Sequence, residues 1–171
     1  MTAYVALLRA VNVSGTGKLP MADLKAMGEA CGFGKCRTFI ASGNLLFASD
    51  LGEPEAQRRI AAKIEEYFGK AVSVHVRSAA QMAEAVAGNP FASDPGNRVV
   101  ALFIDEDPAQ GAIDAATGVS GERLALGPRL IYIAYGEGMA DSKLKLAAMR
   151  EGTARNMNSV TKMAELLAGM E

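Results

Sequence analysis

Residues 4–19 read YVALLRAVNVSGTGKL, and this stretch decides how the rest of the chain is interpreted. Residues 3–11 are rich in apolar side chains and contain no turn signal, which predicts a central β-strand. Side-chain alternation divides the strand into one face with Val5, Leu7, Arg9 and Val11, and another with Tyr4, Ala6, Leu8 and Ala10. Arg9 therefore shares a face with core residues. It needs either an acidic or carbonyl partner, or a position at the strand end beside a ligand.

The glycine-rich loop that follows invites comparison with phosphate-binding loops. A P-loop requires GxxxxGK[ST], but Asn12 occupies the first glycine position and Leu19 the hydroxyl position. The dinucleotide pattern GxGxxG also fails, because Gly15 and Gly17 are followed by Pro20. Two interpretations remain. Backbone N–H groups of the loop hold an anion together with Lys18, or the segment is a flexible surface loop.

The first half of the chain predicts the order strand, helix, strand, strand, helix, strand. Helical spacing after Pro20 gives the first helix, with Gly32 as its stop, and residues 35–48 form a hairpin that turns at Gly43-Asn44. Residues 53–68 form an amphipathic helix, and residues 71–78 form an alternating strand with His75 on its polar surface. This order is that of a ferredoxin-like fold, in which two helices cover one face of an antiparallel sheet.

The second half is predicted to have a similar plan. Ser78 and Gln81 form a capping box that starts a third helix, and residues 89–97 form the boundary between subdomains 1–88 and 89–171. Beyond it we expect a strand at 98–104, a short helix or turn at 108–116, a hairpin at 122–135 and a helix at 144–149. A last amphipathic helix follows, with Asn158 as its expected N-cap. No residue-level repeat joins the two halves.

The composition argues against several functional classes. The 171 residues are 50% hydrophobic and 22% charged, with a net charge of −1, which is typical of a soluble domain and argues against a general nucleic-acid coat. Cys31 and Cys36 are the two cysteines; no signal peptide precedes the first strand, so we expect a cytoplasmic protein. No apolar stretch is long enough to span a membrane. No metal-ligand or cofactor motif is visible, and the cysteines are interpreted as buried packing residues.

Residues 153–162 read TARNMNSVTK and are dense in side-chain donors. Thr153 and Asn158 have local roles in a turn and a cap, whereas Arg155, Asn156 and Lys162 suit either an anion near a helix N-terminus or solvent. Ser42 and Asn44 suit the same ligand, or turn chemistry alone. The candidate ligand-binding residues are Arg9, Asn12, Lys18, Ser42, Asn44, Lys143, Arg155, Asn156 and Lys162. The hypothesis requires the first loop, the hairpin turn and this C-terminal stretch to meet in space.

Six segments together resemble the family called domain of unknown function 1697. They are YVALLRAVNVSGTGKLPMADLK at 4–25, RTFIASGNLLF at 37–47, RSAAQMAEAVAGNPF at 77–91, GPRLIYIAY at 127–135, SKL at 142–144 and TARNMNSVTK at 153–162. The resemblance implies a small bacterial protein of two ferredoxin-like subdomains and implies no activity. Ser14 stands where the family usually has glycine, and Met157 where it usually has tryptophan, which weakens any idea of base stacking there.

Three functional classes stay open. The preferred one is a binding protein for a small anionic ligand, phosphate-like or nucleotide-like. The second is RNA or single-stranded nucleic-acid binding, which ferredoxin-like sheets perform with exposed aromatic side chains. The third is an enzyme, for which the sequence shows no catalytic motif.

Overall fold

The computed structural model describes residues 1–12 and 18–171. Over these residues the chain is an α+β protein with two four-stranded antiparallel sheets and four α-helices. The described residues form two compact units, which we call unit 1 (residues 1–82 and 163–171) and unit 2 (residues 83–162). Among the helices of these residues, none has the length and apolar composition that crossing a membrane requires.

Unit 1 contains the predicted order strand, helix, strand, strand, helix, strand. The elements are β1 (Thr2–Leu8), α1 (Met21–Ala30), β2 (Gly34–Thr38), β3 (Asn44–Ser49), α2 (Glu53–Phe68) and β4 (Val74–Ser78). The sheet order is β2-β3-β1-β4, and every neighbouring pair is antiparallel. The predicted order of elements in this half is therefore confirmed.

The core of unit 1 lies on one face of β1. Tyr4, Ala6 and Leu8 from that face share a buried cluster with Leu24 of α1 and Ile60 of α2. Val5 and Leu7 on the other face are also fully buried. A strand that is buried on both faces reads as a nearly continuous apolar run, which explains the pattern in residues 3–8.

Local signals placed the helices of this half accurately. The predicted range 53–68 is the range of α2, whose C-cap Gly69 has a φ of 72° and ends the helix in the left-handed region. The Gln81 Oε1 atom accepts from the Ser78 amide at 2.7 Å, and the Gln81 amide donates to the Ser78 Oγ atom at 3.2 Å. This capping box precedes α3 (Ala79–Ala87), as predicted.

Two expectations about unit 1 were wrong. The hairpin does not turn at Gly43-Asn44, because residues 39–43 form the connection and Asn44 is the first residue of β3, with no exposed surface. His75 was expected on a polar surface, yet it is only 2% exposed. Alternating polarity indicates an exposed face only where solvent covers one side of a sheet, and both faces of β4 are buried at residues 74–77.

Unit 2 repeats the strand order of unit 1. Its strands are β5 (Val99–Phe103), β6 (Arg123–Gly127), β7 (Leu130–Ala134) and β8 (Thr153–Asn156), in the sheet order β6-β7-β5-β8. Turns and short 3₁₀ segments at Gly136–Asp141 and Ala147–Arg150 connect the strands, and α4 (Met157–Ala168) follows β8. The internal similarity lies in the strand order, which explains why residue spacing does not show it.

The predicted strand at 98–104 and hairpin at 122–135 are present, but two other expectations for unit 2 were wrong. No α-helix covers residues 144–149; Lys145 instead pairs with Thr117 in an isolated β-bridge. The N-cap of α4 is not Asn158, because the helix begins at Met157 and the Oδ1 atom of Asn156 accepts from the Ser159 amide at 2.9 Å. Four-residue strands such as β8 depend on pairing with a distant strand, so their own sequence predicts them poorly.

Candidate functional site

Three chain connections of unit 1 meet where β1 ends. The Leu8 amide donates to the Gly43 carbonyl at 2.9 Å, and the Arg9 amide donates to the Ser73 carbonyl at 3.0 Å. The antiparallel register explains this meeting, since Leu7 lies opposite Asn44 at the start of β3 and Leu8 opposite Val74 at the start of β4. We call this region the basic end of unit 1 and define it as residues 9–12, 18–19, 39–44 and 68–73.

Asn12 fastens the loops of the basic end together. Its Nδ2 atom donates to the Leu19 carbonyl at 2.8 Å and to the Ala41 carbonyl at 2.9 Å, and its Oδ1 atom accepts from the Leu19 amide at 2.6 Å. The amide side chain therefore pairs with both backbone groups of Leu19 and reaches a second connection at the same time. The structure gives Asn12 a positioning role at the site that the sequence predicted for ligand contact.

The backbone of the basic end is strained. Among the described residues, five other than glycine have a positive φ, and Ala10 (54°), Asn12 (57°) and Ile40 (52°) lie here, with Gly43 at 92° beside them. Ile40 is β-branched and 48% exposed, so neither its intrinsic preference nor burial of its side chain accounts for its conformation. Residues held in sparsely populated backbone conformations cluster at binding and active sites.

A cavity of about 220 Å³ opens at the basic end, entirely within unit 1. Arg9, Lys70 and Ser73 supply two cations and a hydroxyl group, and the other lining residues have apolar side chains. These residues, which we call the apolar wall, are Ala10, Val11, Phe68, Ala71 and Val72. The hydrogen bond from the Arg9 amide to the Ser73 carbonyl holds the backbones of these two lining residues side by side.

The charges of the basic end all have the same sign. Arg9, Lys18 and Lys70 are its cations, and residues 9–12, 18–19, 39–44 and 68–73 contain no aspartate or glutamate. Lys18 and Lys70 are exposed and form no ion pair with the residues that the structure describes. The charged residues of these stretches are therefore all positive, and positive charge at a concave surface attracts an anion.

The residues predicted in unit 1 fall into two groups: candidate ligand contacts, and residues that hold the loops of the basic end in place. Arg9 lines the cavity, and Lys18 precedes Leu19, which Asn12 holds. Asn44 is fully buried, and its Nδ2 atom donates to the Phe39 carbonyl at 2.8 Å and to the Ser42 Oγ atom at 3.2 Å. Asn44 and Ser42 therefore shape the connection at 39–43. Residues 13–17 of the predicted glycine-rich loop lie outside the described residues.

The predicted residues of unit 2 have mixed roles. Arg155 is buried in β8, where its Nη1 atom donates to the Thr153 Oγ1 atom at 2.9 Å and to the Ala154 carbonyl at 3.0 Å. Burial lowers the pKa of the Arg155 guanidinium to about 10. Asn156 caps α4, while Lys143 and Lys162 are exposed. The expected meeting of these residues with the unit 1 residues stays a prediction.

Sequence reasoning missed Lys70, Ser73 and Phe68. A signal for them was present: a ferredoxin-like order places the fourth strand antiparallel to the first, so the residues before β4 must lie beside the end of β1. Gly69-Lys70 at the end of an amphipathic helix would then have been placed next to Arg9.

Other chemistries find less support in unit 1. Burial raises the pKa of the Cys36 thiol to about 11 and also raises the pKa of the Cys31 thiol, so both favour the unreactive protonated form. Neither cysteine lines the cavity of the basic end. Within residues 1–12 and 18–171, no group of three or more His, Cys, Asp or Glu side chains is placed to hold a metal ion.

Comparison with known proteins identifies a matching family model and a solved structure with a similar fold. A family model described as "Protein of unknown function (DUF1697)" matches residues 1–132. The structure of the conserved bacterial protein SP0830 from Streptococcus pneumoniae has a TM-score of 0.79 to this chain at 22% sequence identity, and the match covers 97% of this chain and 98% of that one. None of the curated proteins matches the chain. The structural likeness at this identity shows a common fold.

Proposed function

Since this chain belongs to the DUF1697 family of proteins of unknown function, its activity has to be inferred from its site, and we propose that it binds a small phosphate-like anion at the basic end of unit 1. The proposal rests on the side chains around the cavity and on no property of the family.

The single observation that carries the proposal is the lining of the cavity. Arg9 and Lys70 come from two different connections of unit 1 and line one cavity together with Ser73. Guanidinium, ammonium and hydroxyl groups are the donors that proteins use for phosphate oxygens. The strained backbone at Ala10, Asn12 and Ile40 supports the same location, because strain that persists in a fold is often retained for binding.

Isothermal titration calorimetry with inorganic phosphate and phosphate esters tests the proposal. Arg9→Gln and Lys70→Gln should each weaken binding by at least about tenfold, since hydrogen bonds to charged groups contribute roughly 1.5–3 kcal/mol. Lys63→Gln is the matched control, because Lys63 is a partly exposed cation on α2 that does not line the cavity. The proposal fails if no phosphate compound binds, or if Lys63→Gln weakens binding as much as Arg9→Gln.

Nucleic-acid binding has less support from the strands. The aromatic residues of the described strands are Tyr4, Phe47, Phe103 and Tyr132, and all four are buried. A single-stranded nucleic acid needs exposed rings on which its bases stack.

We further propose that both units have a ferredoxin-like fold and that the protein is located in the cytoplasm. The exposed Lys143 and Lys162 stay candidates for additional anion contacts in unit 2.

A further inference from the structure

The cavity of the basic end also indicates which class of anion it accepts, and this inference rests on the proposed function. We infer that the ligand is a phosphate monoester that carries one small apolar or aromatic group. Inorganic phosphate then binds more weakly, and the diester backbone of a nucleic acid is disfavoured. Charge, wall chemistry and volume each support this class.

The charge of the lining matches a monoester. Arg9 and Lys70 provide two positive charges around one cavity, and the stretches of chain that form the basic end contain no carboxylate. A phosphate monoester carries a charge of roughly −1.5 to −2 at pH 7, whereas a diester carries a single negative charge. A site with two cations therefore favours the monoester over the diester.

The apolar wall gives the cavity a second surface that a bare phosphate would not use. Phe68 is half-buried at the C-terminal end of α2, and it lines the cavity together with Val72 and Val11. An aromatic substituent on the ligand would pack on the Phe68 ring while its phosphate group lies toward Arg9 and Lys70. Aromatic pairs of this kind contribute more than the area they bury.

The volume of the cavity indicates how large a group it can enclose. Sites for drug-sized ligands have volumes of roughly 300–1,000 Å³. The cavity of about 220 Å³ is smaller than this range. It suits one phosphate group with one small substituent and is too small to enclose a dinucleotide.

The test titrates the whole protein with four defined probes: phenyl phosphate, inorganic phosphate, the diester methyl phenyl phosphate, and phenyl sulfate. Phenyl phosphate should bind about five- to tenfold more tightly than inorganic phosphate, the increment expected of one aromatic contact. It should also bind more tightly than the diester and than phenyl sulfate, because each of these carries one negative charge.

Phe68→Leu isolates the contribution of the ring while it keeps an apolar side chain on the core. This variant should lose most of the preference for phenyl phosphate over inorganic phosphate. A far-ultraviolet circular dichroism spectrum equal to that of the wild type shows that the variant is folded. If it loses affinity for both ligands in equal proportion, the assignment of the Phe68 ring to the ester group is refuted.

The pH dependence gives an independent readout. The second pKa of a phosphate monoester is about 6, so affinity for phenyl phosphate should fall several-fold from pH 7.5 to pH 5.5. Phenyl sulfate keeps one charge over this range and therefore reports any change in the protein. This control covers the other charged and titratable groups of the region, among them His75, which is buried in β4, and Asp23, which accepts from the Tyr67 hydroxyl at 3.2 Å beside Phe68.

The proposed function and the ester inference fail on different outcomes. Equal binding of phosphate and phenyl phosphate, both lost in Arg9→Gln, would refute the ester inference and keep the anion site. Tighter binding of the diester than of the monoester would also refute the inference and would favour a nucleic-acid backbone. No binding of any probe would refute the proposed function itself.

Discussion

Gly43→Ala should destabilise unit 1 strongly, because Gly43 has a backbone and a neighbourhood that exclude a side chain. Its φ is 92°, and a Cβ atom at this position would lie 2.5 Å from the Val11 Cγ2 atom and 3.0 Å from the Leu8 Cβ atom. The left-handed backbone costs roughly 1–2 kcal/mol in a residue with a Cβ. Overpacking of a well-packed site adds about 1–3 kcal/mol. Neither neighbour yields easily, since Val11 is buried and stiff and the Leu8 atom lies next to the backbone.

The expected total is about 3 kcal/mol, which for a chain of this length lowers the melting temperature by roughly 6–12 °C. Urea and thermal unfolding followed by far-ultraviolet circular dichroism measure it. Gly32→Ala is the matched control, because Gly32 has a φ of 85° and a Cβ atom there would have no neighbouring atom within 4 Å. The control should lose about 1 kcal/mol, the backbone contribution alone. Equal losses in Gly43→Ala and Gly32→Ala would refute the steric argument at the basic end.

Four further outcomes are expected. Asn12→Ala should cost about 2–3 kcal/mol in urea unfolding, since it removes three hydrogen bonds worth roughly 1 kcal/mol each; a loss below that of one bond would contradict the fastening role. Ser78→Ala should cost about 1 kcal/mol through loss of the capping box, and Ser93→Ala on an exposed turn serves as its control. Cys36 should react slowly with iodoacetamide at pH 8, in a Cys31→Ser background, because its pKa is raised to about 11. A raised folded-state pKa means that the folded state binds the proton more tightly, so the stabilising contribution of Cys36 should be lost as the pH rises from 9 to 11.

The basic end shows how much of the candidate site could be predicted from the sequence. Arg9, Asn12 and Lys18 were predicted from one stretch of chain, and they lie at or next to the place where β1 ends. Lys70 and Ser73 were missed, because they approach Arg9 only through the pairing of β1 with β4. Asn44 was predicted as a turn residue or a ligand contact, whereas its register opposite Leu7 places it inside the sheet.

Features that depend on neighbours along the chain could be predicted from the sequence. The limits of α2, the capping box before α3 and the order of elements in unit 1 follow from periodicity, caps and turn residues, which act over a few positions. The tertiary structure alone decided the burial of His75 and Arg155, the strand β8, and the meeting of Arg9 with Lys70. The physical reason is that exposure and contact depend on residues far away in sequence, and strand pairing brings those residues together without a local signal.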